Sequence, residues 1–109
     1  MYSSHRFKEI SLMKLDSILL IPESNSLSIQ ASIDFEAFGL FAEPLVLAID
    51  ARVIERQWGA DRYQWSLEFE GTHIQLNYEF YGDVCWLSVK QNNEFEVLEF
   101  LANLLELHT

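Results

Sequence analysis

The stretch from Arg62 to Val89, RYQWSLEFEGTHIQLNYEFYGDVCWLSV, decides the fold. Trp65, Leu67 and Phe69, then Ile74, Leu76 and Tyr78, then Cys85, Leu87 and Val89 fall at every second position, the period of a strand that buries one face. Gly71-Thr72 and Gly82-Asp83 separate the three runs. Read as two-residue turns with glycine first, which type II′ geometry requires, they pair Phe69 with Ile74, Leu67 with Leu76 and Trp65 with Tyr78. The second turn pairs Phe80 with Cys85, Tyr78 with Leu87 and Leu76 with Val89. Apolar residues then meet across both hairpins, and a slip of one residue would carry Glu79 or Gln75 into the core.

Outward from this stretch, Arg52 to Trp58 forms one more strand, joined to Arg62 through Gly59-Ala60-Asp61, so the sheet contains a four-stranded antiparallel meander. Upstream, Leu27, Ile29, Ala31 and Ile33 alternate with polar residues after the turn at Pro22-Glu23-Ser24-Asn25-Ser26, and residues 5–21 hold one or two further strands. A helix starting at Pro44 would put Asp50 and Gln57 inside its apolar arc. Starting instead with Asp34 as N-cap and ending near Ile49, it lines up Phe35, Phe38, Ala42, Leu45 and Ile49, with a kink or one-turn break expected around Gly39 to Pro44. A last helix from about Glu94 to Leu107 has Asn93 as N-cap and Glu96 as its capping-box partner. Its apolar arc is too wide for one sheet face, so either the two helices lie together on that face or the last one also meets a second chain. The fold class is therefore α+β: a two-layer sandwich in a single domain over residues 1–109, with both helices on one face of an antiparallel sheet.

Composition narrows the function. Half of the 109 residues are hydrophobic and 14% aromatic, which is a folding chain. The net charge of −10 repels nucleic acid and anionic membrane surfaces. Cys85 is the one cysteine, so no intrachain disulfide forms, and a reducing, cytoplasmic compartment is expected. No stretch reads as a signal peptide or a membrane span.

Phe35-Glu36-Ala37-Phe38-Gly39, the run from Val53 to Arg62, Phe69-Glu70-Gly71 and the run from Tyr78 to Leu87 resemble a small family of uncharacterised bacterial proteins of about this length, over most of residues 30–105. The resemblance implies a bacterial, cytoplasmic protein carrying a domain of unknown function, and it supplies no catalytic residue.

The derived pairing sets Ser66, Glu68 and Glu70, then His73, Gln75, Asn77, Glu79 and Tyr81, then Trp86, Ser88 and Lys90 on the outward face. Glu70 opposite His73 would favour the protonated imidazole. As an acid/base pair it would sit at a hairpin tip open to water, so an exposed structural pair is the reading adopted. Trp86, set opposite Glu79 and near Tyr81, leaves indole area in water unless the N-terminal segment or a partner covers it. Arg56, Trp58, Asp61, Arg62, Tyr63 and Trp65 gather aromatics and arginines at the first hairpin, residue types that anchor protein interfaces. The competing reading has Asp61 capping the turn while Arg56 and Arg62 neutralise acids such as Glu55 and stack on the rings.

His5, His73 and His108 share no ligand-like spacing with Cys85 or with paired carboxylates, and no Ser-His-Asp or Cys-His set converges, so neither metal nor cofactor nor nucleophilic chemistry is expected. Glu96, Glu99 and Glu106 read as a solvated helix face. The sequence thus points to a non-enzymatic interaction or adaptor module. It would be homodimeric or bound to another protein through Arg56, Trp58, Arg62, Tyr81 and Trp86. The alternative is a small-molecule-binding protein or weak hydrolase using Glu70, His73 and Glu79.

Overall fold

Alternating apolar residues build a six-stranded antiparallel sheet in the computed structural model, which describes residues 13–109. The strands are β1 (Ser17–Ile21), β2 (Ser26–Gln30), β3 (Arg52–Trp58), β4 (Arg62–Phe69), β5 (Thr72–Glu79) and β6 (Val84–Ser88). Across the sheet they run β1-β2-β6-β5-β4-β3, so the expected meander is present and β2 closes onto its last strand. Helix α1 (Phe38–Ala48) and helix α2 (Phe95–Glu106) cover one face. Leu27, Ile29, Leu67, Ile74, Leu76 and Leu87 point from the sheet into a single core with Phe38, Leu45, Ile49, Leu98, Leu101 and Leu105, all 2% exposed or less. The architecture is the expected α+β one.

Both hairpins close two residues away from the expected register. Phe69 pairs with Thr72, Leu67 with Ile74, Trp65 with Leu76 and Tyr63 with Tyr78, so Glu70-Gly71 is the turn. Glu70 at φ 48° and Gly71 at φ 86° are both left-handed, the signature of type I′ rather than II′. The shift places β-branched Thr72 in the strand, lengthens the ladder to Arg62 and Glu79, and lets the Gly71 N–H donate to Glu68 Oε2 at 2.9 Å. In the second hairpin Tyr78 pairs with Cys85 and Leu76 with Leu87 around a four-residue loop, Phe80 to Asp83. There the Asp83 N–H donates to the Phe80 carbonyl and Asp83 adopts φ 50°. Because the displacement is even, every side chain of the three strands keeps its expected face while changing its neighbour.

Residues 34–51 correct the position of the predicted helix break. Asp34 does cap, accepting the Glu36 N–H at 3.1 Å, but it caps a short 3-10 turn, Phe35–Ala37. The irregularity falls at Ala37, and α1 then runs unbroken through Gly39 and Pro44. The carbonyl that Pro44 leaves without a donor belongs to Leu40, which is 81% exposed, so water can satisfy it. The helix ends with Asp50 left-handed at φ 55°, its N–H on Leu47 and the Ala51 N–H on Val46, a Schellman closure.

The cap of α2 lies two residues earlier than predicted. Gln91, not Asn93, starts a 3-10 turn (Asn92–Glu94), and Glu94, not Glu96, reaches back to accept the Gln91 N–H at 3.2 Å. Asn92 is held by Asn25, whose side chain donates to it at 2.9 Å from the β1–β2 turn. In the N-terminal region one strand, β1, covers the end of the span 5–21 expected to hold one or two, and the part of that expectation over residues 5–12 lies outside the described residues.

Candidate functional site

The β3–β4 and β5–β6 loops lie at one end of the sheet and are tied together there, the Phe80 N–H donating to the Asp61 carbonyl at 2.8 Å. Beneath them Phe35 packs at 4.9 Å from Tyr63 and 5.2 Å from Phe80, while Phe38 stacks on Tyr63 at 4.4 Å and meets Trp65 edge-on at 5.5 Å. The Tyr63 hydroxyl donates to the Phe35 carbonyl. These contacts form a packed aromatic base. Above it Trp58 is 70% exposed, Tyr81 84% and Phe80 49%. Tyr81 meets Phe80 edge-on at 5.4 Å. A depression of about 450 Å³ at the β3–β4 hairpin is lined by Gln57, Trp58, Gly59, Arg62 and Gln64.

The two arginines proposed for this region separate. Arg56, opposite Trp65 on the helix-bearing side, donates to Glu43 Oε2 at 2.8 Å and lies 4.7 Å over the Trp65 ring, a sandwiched position with its charge answered. The acid is Glu43 of α1 rather than Glu55, whose carboxylate instead accepts from Gln57. Arg62 points outward between Asp61 at 3.5 Å and Glu79 at 4.0 Å, two loose contacts that leave its guanidinium open to solvent.

Trp86 does face outward, but opposite Asn77 on one side and Ser28 on the other, not opposite Glu79. It is half-buried in a neutral polar row. Asn77 is 4% exposed, and its amide reaches the Gln75 and Trp86 carbonyls and the Ser88 hydroxyl while its oxygen accepts from Gln75. This buried amide was missed by sequence reasoning, since alternation alone marks it as solvent-facing. Cover supplied by residues 1–12 lies outside the described residues.

The residues of the hydrolytic alternative are not assembled. Glu70 occupies the turn, and the residue opposite His73 is Glu68. Glu68 is itself held by Arg52 and the Gly71 N–H, which together lower its carboxyl pKa. Glu79 lies at the other end of β5, six residues and roughly 20 Å from His73 at strand spacing, facing Arg62 and Val84.

A family model described as a protein of unknown function, DUF3630, matches residues 15–106, a span containing all six strands and both helices. The chain belongs to the DUF3630 family. No curated protein and no solved structure matches it.

In this DUF3630 chain the Cys85 thiol is buried, and its desolvation, with Asp83 nearby, pushes its pKa up to about 12, the opposite of an activated nucleophile. Among the described residues no three of His, Cys, Asp or Glu converge to hold a metal ion, and no helix is long and apolar enough to cross a membrane. The candidate site comprises exposed rings over a packed aromatic base, a solvent-facing guanidinium and two loops bridged by one backbone hydrogen bond.

Proposed function

We propose that this DUF3630 chain is a small, acidic, non-enzymatic protein-interaction module of the bacterial cytoplasm. A partner, or a second copy, docks on the looped end of the sheet through Trp58, Arg62 and Tyr81, with Phe80 completing the surface. The observation that carries the reading is the exposure of Trp58 at the end of β3 and of Tyr81 in the β5–β6 loop, beside the hydrogen bond between Phe80 and Asp61. Large rings held rigidly in water lose little conformational freedom on binding and release much apolar area, which is why such residues dominate interface energetics. Arg56 supports the surface from below through Glu43 and Trp65, and Trp86 belongs to a separate patch on the outer sheet face. The hydrolytic alternative is not adopted, because Glu70, His73 and Glu79 share no common point.

The test is a photoreactive benzoylphenylalanine placed at position 81 of the full chain in living cells. Illumination should give one defined adduct, lost when Trp58→Ala is added and absent when the probe replaces Gln75 instead. Light scattering on the purified chain reports whether the adduct is a second copy. A monomer that forms no adduct through position 81 would refute the reading.

A further inference from the structure

The depression at the β3–β4 hairpin is unlike a small-molecule pocket. The one large apolar group in it is the Trp58 indole, and it is open to solvent, whereas small ligands need a cleft that encloses most of their surface. Gln57 and Gln64, a cross-strand pair on the outer face, and Arg62 supply the polar lining. Most of the groups on offer are donors: a guanidinium, an indole N–H and amide N–H groups, against two amide oxygens. Gln57 donates once to Glu55, at 3.2 Å, and the Arg62 guanidinium is held only by the loose contacts to Asp61 and Glu79. β3 is the sheet edge opposite β1, five strand spacings or roughly 24 Å away, so the depression is far across the sheet from the start of the described chain.

Carboxylates border this lining. Glu55, Asp61 and Glu79 each contact a lining residue, against the one charge of Arg62. The other described cations are engaged or distant. Arg52 and Arg56 pair with Glu68 and Glu43, Lys14 precedes β1, and Lys90 follows β6 at the opposite end of the sheet. An acidic ligand would therefore meet a net negative rim, and a basic one a favourable field.

We infer that the depression takes a proline-rich segment of another protein, in the polyproline II conformation and flanked by lysine or arginine. Proline has no backbone N–H and the polyproline II helix makes no internal hydrogen bond, so such a segment presents carbonyl acceptors to a lining of donors. A proline ring lies flat on the Trp58 indole, carbonyls accept from Gln64 and Arg62, and the flanking cation meets the acidic rim. An open site suits this ligand, which arrives already ordered and loses little conformational freedom on binding. A second copy cannot supply it: the chain's two prolines, Pro22 and Pro44, are isolated, one in the β1–β2 turn and the other inside α1. The inference rests on the interaction-module reading and names the kind of segment the partner brings.

The probe is a peptide of about nine prolines, three turns of polyproline II, with an arginine at each end, titrated into the isotope-labelled full chain by NMR. Shifts should centre on the Trp58 indole N–H and the amides from Gln57 to Gln64. Exchanging the prolines for glycine should weaken binding at least tenfold, and exchanging the arginines for glutamate several-fold. Trp58→Ala, at an exposed position, should abolish binding while the rest of the spectrum is unchanged. Arg62→Met should weaken it several-fold, and Trp86→Phe should leave it unaltered. No shift at millimolar peptide, equal binding of the glycine peptide, or shifts centred elsewhere would overturn the inference. So would Trp58 shifts that follow protein concentration without peptide, which would put a second copy in the depression. A defined adduct through position 81 beside a silent peptide titration would remove this inference alone and leave the interaction-module reading standing.

Discussion

Tyr78 donates its phenolic hydrogen to Asp83 Oδ1 at 2.8 Å, joining the last inward ring of β5 to the one left-handed residue of the β5–β6 loop. That bond explains how a four-residue loop headed by exposed Phe80 and Tyr81 is held in one conformation. Removing the hydroxyl in Tyr78→Phe should cost about 1 kcal/mol, seen as a lower urea midpoint with an unchanged slope. The Asp61–Phe80 end should lose amide protection first.

Alkaline stability follows from two buried acids. Burial, helped by the Asp83 hydrogen bond, lifts Tyr78 from 10.0 to about 12, and burial lifts Cys85 from 9.0 to about 12. Both stay protonated in the fold at pH values where the unfolded chain ionises. Their contribution is therefore complete below pH 9 and is lost as pH rises from about 9 towards about 12. Urea midpoints measured between pH 8 and 12 should decline over that window, and Cys85→Ala should flatten the part that begins near pH 9. The native thiol should react with a disulfide reagent only at the rate of unfolding.

The type I′ turn makes opposite predictions at adjacent positions. Glu70 at φ 48° pays a steric cost that asparagine tolerates better, so Glu70→Asn should stabilise by about 0.5–1 kcal/mol. At Gly71, φ 86°, a Cβ would meet no neighbour within 4 Å, so the cost of Gly71→Ala is the backbone conformation alone, about 1–2 kcal/mol. Thermal melts of the two variants should move in opposite directions.

Core and surface should differ sharply. Leu76 is fully buried at the centre of the sheet, and Leu76→Ala should cost about 3–4 kcal/mol. The Arg56–Glu43 pair is about half exposed at both ends, so Glu43→Gln should cost no more than about 1 kcal/mol and less in high salt. Denaturant titrations of the two variants would check the contrast, and a large loss from Glu43→Gln would contradict it.

The α+β class, the meander, the inward face of each strand and the two helices were legible in the sequence, because period-2 and period-3.6 patterns are local and survive any even register shift. Trp58 and Tyr81 were legible as candidates from their residue types and place near the hairpin ends, not from periodicity, since Trp58 pairs with inward Tyr63 and is nonetheless exposed. The bridge that ties the β3–β4 and β5–β6 loops together, from the Phe80 N–H to the Asp61 carbonyl, was not legible, since it joins segments far apart in sequence. Nor was the register: the choice between I′ and II′ at Gly71 turns on where Thr72, Tyr63 and Arg62 find partners, not on the glycine itself.

What the sequence alone determined about this protein is the kind of each element and which face of it turns towards the core. The tertiary structure decided who sits beside whom. β2 closes onto β6, and Glu68 rather than Glu70 faces His73. Arg56 finds Glu43, and Asn77 is sealed beneath its neighbours on a polar face. Burial preference is carried by each side chain's own free energy of transfer from water, whereas partnership is a property of chain segments far apart in sequence that meet only once the sheet has closed.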